Sequence, residues 1–316
     1  MPQLFQQVRI LDPIAQTERS GDILVIDQVI QEVSETTQLP TELNILPGQH
    51  LICAPGLVDL YSHSGTPGHE ERETLESLLA AAQAGGFVSI NILPDTLPAL
   101  DRASSMISLD RQYQQVAKQI PNCPQLGYWG ALTAEVAGKT MTELAELATT
   151  NMIGWADGRA IANPLLLRNL LEYLKPYHRP IALYACDREL RGNGIARSGV
   201  SALKYGLPVD PVSSETAALA ATIEIITDVG TPVHLMRIST RRGVELIAAA
   251  KQRGVPVTAS TTWLHLIANT TDLATYNPNL KLDPPLGTAD DQIALIEGIK
   301  TGVLDAIAID HSPYTY

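Results

Sequence analysis

The sequence predicts a (β/α)8 barrel of the TIM type preceded by a small N-terminal β unit. Three observations carry this reading. From Pro55 onward, short apolar strands alternate with polar loops and amphipathic helices through eight repeats. Such alternation means parallel strands joined by right-handed crossovers. Residues 1–54 instead show strand-like runs separated by turn signals. Finally, 316 residues, 45% hydrophobic and 18% charged, suffice to bury a large core.

The N-terminal runs are Phe5–Leu11, Asp22–Ile26, Val29–Val33 and Gln49–Cys53, with turns at Ser20-Gly21 and Pro47-Gly48. They read as an antiparallel unit over residues 1–54. The barrel, residues 55–316, takes its strands from Leu57–Tyr61, Val88–Leu93, Gln125–Leu132, Met152–Ala156, Ile181–Ala185, Val233–Ile238, Val255–Ser260 and Ala306–Ile309. Helical patterns lie between several of these, at Glu73–Ala84, Met141–Thr149, Pro164–Tyr173, Glu215–Val229, Arg242–Arg253 and Ala289–Thr301. Gly85-Gly86 reads as a helix C-cap, and His69-Glu70-Glu71-Arg72-Glu73 as an acidic first turn that complements a helix dipole.

A net charge of −12 argues against nucleic acid and anionic membrane surfaces as partners. The three scattered cysteines, Cys53, Cys123 and Cys186, fit a reducing cytoplasm. No secretory pattern opens the chain, and no apolar run is long enough to span a bilayer. A soluble cytoplasmic protein is expected.

Reacting groups of such barrels close the C-terminal ends of the strands. Here those residues are Tyr61, His63, Asp95, Asp157, Tyr184, Arg237, Asp310 and His311. Any one of them alone is more often a loop cap or a packing residue; their joint placement is what suggests a site. His234 falls out of register and reads as a packed or hydrogen-bonded histidine, and His265 as serving a helix start or the rim. The stretch PGLVDLYSHSGTPG (55–68) is the most informative. Residues two apart on a strand point the same way, so histidines at 61 and 63 would share one metal ion. Position 61 is Tyr.

That stretch, with AAAQAGGFVSINILPDTLP (80–98), DGRA (157–160), ALYACDREL (182–190), PVHLMRISTRRGVELIAAAKQRGVPVTA (232–259), KLDPPL (281–286) and DAIAIDHSPYTY (305–316), resembles the dihydroorotase family of cyclic amidohydrolases, in particular its cyanobacterial-type members. The resemblance implies a two-zinc barrel that reversibly hydrolyses dihydroorotate to carbamoyl-aspartate in pyrimidine synthesis. It places metal ligands at Tyr61, His63, Asp157, Tyr184, Arg237 and Asp310, with Asp310 also the general base. His63, Asp157 and Asp310 keep the ligand type. Tyr61, Tyr184 and Arg237 stand where the family has histidine. It also places substrate contacts at Gly65, Asp95, Asp283 and His311, with an Arg replaced at Gly65 and again at Gly287, and an Asn replaced at Asp95 and at Asp283.

A phenol is a poor zinc ligand near neutral pH, and guanidinium has no lone pair to offer. Arg237 is therefore expected to bring a fixed charge to Asp157 and Asp310, in place of the metal. Zinc is expected to be absent, or held as a single weakly bound ion. Lost cations and added carboxylates should repel an anionic substrate. The resemblance suggests an impaired enzyme that acts, in an oligomer, as a structural partner of aspartate carbamoyltransferase. The competing expectations are an active cyclic amidohydrolase with a reduced metal site and a small-molecule substrate, or a binding module. The chain stops after the eighth strand, short of the family's last helix and closing strands, and a fragment is expected.

Overall fold

The computed structural model describes residues 2–35 and 44–315. It comprises two compact units, Met1–Leu57 and Val58–Tyr316.

In the first unit β1 (Gln3–Asp12) pairs antiparallel with β2 (Thr17–Ile26), and β2 with β3 (Val29–Ser34). On the other side of β1, β4 (Asn44–Pro47) and β5 (Ile52–Cys53) run parallel to it. The sheet is thus mixed, not antiparallel as expected. Hairpins deliver antiparallel neighbours, whereas β4 joins at the edge opposite β3, a crossover that allows a parallel partner. Of the run Gln49–Cys53 only Ile52–Cys53 pairs, because Gly48 and Leu51 are tied in a turn by Leu51 N–H donating to Gly48 O at 2.8 Å.

The second unit is the barrel. Its strands are β6 (Leu57–Ser62), β7 (Phe87–Ile92), β8 (Gln125–Gly130), β9 (Gly154–Ala156) and β10 (Ile181–Tyr184). A separate parallel ribbon, β11 (Ala196–Arg197) with β12 (Val209–Asp210), intervenes before β13 (Val233–Met236), β14 (Val257–Thr262) and β15 (Ala306–Ala308). The eight barrel strands neighbour one another in chain order. From β7 to β15 they pair in parallel. The helices are α1 (Leu75–Ala84), α2 (Ala103–Ala117), α3 (Leu144–Leu147), α4 (Pro164–Leu174), α5 (Arg188–Arg191), α6 (Val200–Lys204), α7 (Val212–Val229), α8 (Arg241–Gln252), α9 (Trp263–Ile267) and α10 (Ala289–Lys300).

Several helix starts differ from the expected ones, and α2 had not been expected. The run His69–Glu73 lies outside α1, because Thr74 and Ser77 form a capping box that starts the helix at Leu75. Gly86, with φ +79°, supplies the left-handed turn after α1. Helix α2 begins after Arg102, whose side chain makes no cap, so it carries no start signal. Of the pattern Met141–Thr149 only Leu144–Leu147 is helical.

Between strands and helices lies a large apolar core. A second cluster, Tyr61, Leu93, Trp129, Ala156, Ala182, Met236 and Ala308, fills the barrel interior. The seam between β6 and β15 is closed partly by side chains. His63 N–H donates to His311 O (2.7 Å), Ile309 N–H to Asp59 Oδ1 (3.0 Å) and His311 N–H to Ser62 Oγ (2.9 Å). Ser62 Oγ donates to Asp59. Burial lifts the Asp59 carboxyl to about 6 despite these donors. This seam sets His63 beside Asp310. Among the described residues, no helix is long and apolar enough to cross a membrane.

Candidate functional site

Arg237 organises the mouth of the barrel. It follows β13 with φ +59°, and Asp310, after β15, has φ +53°. Both sit in the left-handed region that non-glycine residues rarely adopt and that tends to persist at sites the surroundings over-determine. The guanidinium, 3% exposed, grips Asp310 with two parallel bonds, Nε to Oδ2 at 2.8 Å and Nη2 to Oδ1 at 2.6 Å. Its Nη1 donates to Gly158 O at 2.7 Å. Gly158 has φ +65°, and a Cβ there would stand 2.7 Å from Leu93 Cδ1, so the turn that offers this carbonyl requires glycine. Arg237 Nη2 also lies 3.0 Å from His63 Nε2. Guanidinium only donates, so Nε2 accepts, and the ring proton sits on Nδ1, facing Asp95 at 2.9 Å. Burial opposes the charge on Arg237, but Asp310 outweighs it, and the guanidinium is held more firmly protonated than usual.

Two phenols flank the arginine, with its Cζ 5.6 Å from the Tyr61 ring centre and 5.3 Å from that of Tyr184. Burial pushes both hydroxyls above their ordinary value. Arg237 N–H donates to Tyr61 Oη (3.2 Å), which leaves the Tyr61 hydroxyl to donate to Ser260 Oγ (2.7 Å). Ser260 in turn reaches His234 Nε2 at 2.8 Å. Burial pushes His234 down to about 4, so it is a neutral, hydrogen-bonded ring inside the barrel. His265 is likewise buried and lowered to about 4, with Nδ1 2.7 Å from Thr262 Oγ1.

Asp157 departs from expectation. Arg237 does not fork across Asp157 and Asp310; it takes Asp310 alone. The Asp157 carboxylate turns to the loop after β8 and accepts from Leu132 N (2.8 Å), Thr133 N (3.1 Å) and Thr133 Oγ1 (2.5 Å). Burial lifts it to about 6 even so. Local backbone donors have outcompeted the distant cation.

The rim holds five further expected residues. Gly65 lies in a tight turn where a Cβ would stand 2.4 Å from Glu73 O, so this backbone has no room for a side chain. Gly287 is equally closed, 2.6 Å from Asp291 Cβ and 2.9 Å from Ser239 O. His311 Nε2 meets Glu73 at 3.0 Å, and this bond raises its pKa. Asp283 accepts from Tyr184 Oη (2.6 Å) and from Arg191. Asp283 is exposed, and Arg191 and Tyr184 hold it below the usual carboxylate range. Asp95 is similarly lowered against burial, by His63 first and by Arg159, 3.8 Å away. Each carboxylate that replaces a polar side chain therefore has a cation beside it, Arg159 at Asp95 and Arg191 at Asp283. Arg159, Arg191, Ser260, Thr133 and Glu73 were not singled out from the sequence. For Arg159 and Arg191 the signal available was their position in the segments that follow β9 and β10.

Of the expected ligands, His63 Nε2 and Asp310 Oδ1 come within 3.8 Å of each other, and Arg237 occupies both. Among the described residues, no group of three or more His, Cys, Asp or Glu side chains is placed to hold a metal ion.

Known proteins supply the context. The sequence profile of the dihydro-orotase-like family matches residues 50–243. A probable dihydroorotase-like protein of Synechocystis sp. is 43% identical, over 98% of this chain and 76% of its own length. The dihydroorotases of Geobacter metallireducens (33%, covering 98% and 72%) and Solibacter usitatus (31%, covering 99% and 72%) are also similar. Among solved structures, the L-hydantoinase (dihydropyrimidinase) of Arthrobacter aurescens shares the fold with a TM-score of 0.79 at 18% identity, over 99% of this chain and 69% of that one. On sequence and on fold together, this chain belongs to the dihydroorotase-like family of cyclic amidohydrolase barrels.

Proposed function

We propose that this chain is a dihydroorotase-family barrel whose hydrolytic site is closed by an arginine, and that it serves pyrimidine synthesis as a structural partner of aspartate carbamoyltransferase. One observation carries the first half. Arg237 donates to His63 Nε2 and to both oxygens of Asp310, the lone pairs a metal-bound water mechanism would need. The donor set does not fit two zinc ions. Two imidazole positions are buried phenols, a third is a guanidinium, and Asp157 is consumed by Leu132 and Thr133. Both oxygens of Asp310 are taken up by Arg237, so neither is turned toward a water. The rigid pair supports a scaffold role, and the partner enters from the family resemblance.

A second reading has its own support. Arg159 and Arg191 place cations at the mouth, suited to an anionic ring amide. In that reading Arg237 swings off Asp310, and one ion sits on His63 and Asp310. The test is zinc content by mass spectrometry together with dihydroorotate hydrolysis on the same sample, and gel filtration with aspartate carbamoyltransferase. The proposal expects no stoichiometric zinc, no turnover and co-elution. Bound zinc with turnover supports the second reading, and separate elution removes the partner.

A further inference from the structure

A cavity of about 430 Å³ opens beside the barrel mouth, in the helix layer between α4 and α7 and behind the end of β10. It shares Tyr184 and Arg159 with the surroundings of the mouth, but none of His63, Arg237 or Asp310 lines it. Small side chains on α7, Ala217, Ala218 and Ala221, line it and leave it open to solvent. Leu167 of α4 and Leu183 of β10 also line it. A groove of this volume with an apolar lining and a few polar groups has the dimensions of a small-molecule pocket.

The rim defines the chemistry. Arg159 and Arg188 both stand on it. The only ion pair Arg159 makes among the described residues is a long one, 3.8 Å to Asp95. Arg188 is exposed, and among the described residues no carboxylate lies within 4 Å of it. The acids nearby compete weakly. Asp187 Oδ1 caps α5, accepting from Glu189 N and Leu190 N at 3.0 Å each, and Glu189 is exposed. Two guanidiniums with spare donors above an apolar trough suit one anionic head and one apolar tail.

We propose that this cavity binds a monocarboxylate with a medium-length apolar chain. The carboxylate sits on Arg159 and Arg188, and the chain runs along Leu167, Leu183 and the alanine face of α7. This site is independent of whether the mouth hydrolyses anything.

Isothermal titration calorimetry on the whole chain tests it, with octanoate as the probe, octanol as the uncharged chain and acetate as the bare head. Octanoate is expected to bind with a stoichiometry near one, and octanol and acetate at least about tenfold more weakly. Ala218→Leu, which fills the trough, should abolish octanoate binding. Arg188→Gln, an exposed change that leaves the fold intact, should weaken it about tenfold. No heat from octanoate overturns the proposal, as does a stoichiometry of many per chain, which marks surface adsorption. Equal binding of octanol removes the anionic head from the recognition. Undiminished binding by a folded Ala218→Leu variant, or by Arg188→Gln, places the ligand elsewhere and refutes the site.

Discussion

Among the described residues of the barrel two guanidiniums are buried, and their partners differ in kind. Arg197, 1% exposed, sits between the β11–β12 ribbon and α7. It meets Asp210 (3.1 Å), Glu215 (3.2 Å), Ser214 Oγ (3.1 Å) and Ser239 Oγ (2.8 Å). Glu215 also accepts from the backbone and hydroxyl groups of Ser239 and Thr240, which ties α7 to the end of β13. Its two carboxylates come from β12 and α7, and the cluster fastens the ribbon and α7 to the end of β13, so it holds the fold. Arg237 meets one carboxylate, one imidazole nitrogen and one carbonyl, each at the C-terminal end of a barrel strand. A buried arginine costs similar desolvation in both places. The position of its partners tells whether the ion pair holds architecture or occupies a site.

The comparison can be broken in order of expected effect. Arg197→Met strands two buried carboxylates and should cost about 3–5 kcal/mol in urea denaturation. A loss under about 1 kcal/mol would mean the cluster is not structural. Arg237→Met strands only Asp310, which keeps some contact with water, and should cost about 2–3 kcal/mol. If it costs more than Arg197→Met, the mouth arginine is the keystone of the fold, and the contrast drawn above inverts.

Titration sharpens the picture through two groups of opposite sign. Asp59 has its carboxyl raised from 3.8 to about 6, so the folded chain keeps a proton that the unfolded chain has lost. Its contribution is present below 3.8 and lost as pH rises through 6. His265 is lowered from 6.5 to about 4, so its contribution is present above 6.5 and lost as pH falls toward 4. Between pH 4 and 6, wild type should therefore lose about 2 kcal/mol relative to Asp59→Asn and gain about 2 kcal/mol relative to His265→Asn. Urea titrations at the two pH values check both, and parallel behaviour of the two variants would contradict the assignment.

The smallest effect is expected at the rim. Asp283 is 54% exposed at its side chain, so Arg191→Leu should cost about 1 kcal/mol or less. A larger loss would make the rim part of the fold's support and not a solvent-facing loop.

Much of the architecture was open to reading because its signals are local. Alternating apolar strands and amphipathic helices specify parallel units whichever residues meet later, and the barrel order follows chain order from β6 to β15. The mixed N-terminal sheet was not legible, since nothing local to Asn44–Pro47 states which edge of β1 it joins. The start of α1 was misplaced because an acidic run imitated a first turn that Thr74 and Ser77 actually cap.

The same division runs through the site. The sequence alone determined which residue types stand at the ends of the strands: Tyr61, Tyr184 and Arg237, with His63, Asp157 and Asp310. Only the tertiary structure decided who bonds to whom. Arg237 and Asp310 are 73 residues apart, and Arg237 and His63 are 174 apart, whereas Asp157 was taken by Thr133, 24 residues away. Residue type fixes what a group can donate or accept, but hydrogen bonding demands contact within about 3 Å. Which of several eligible partners comes that close is set by the packing of the whole barrel.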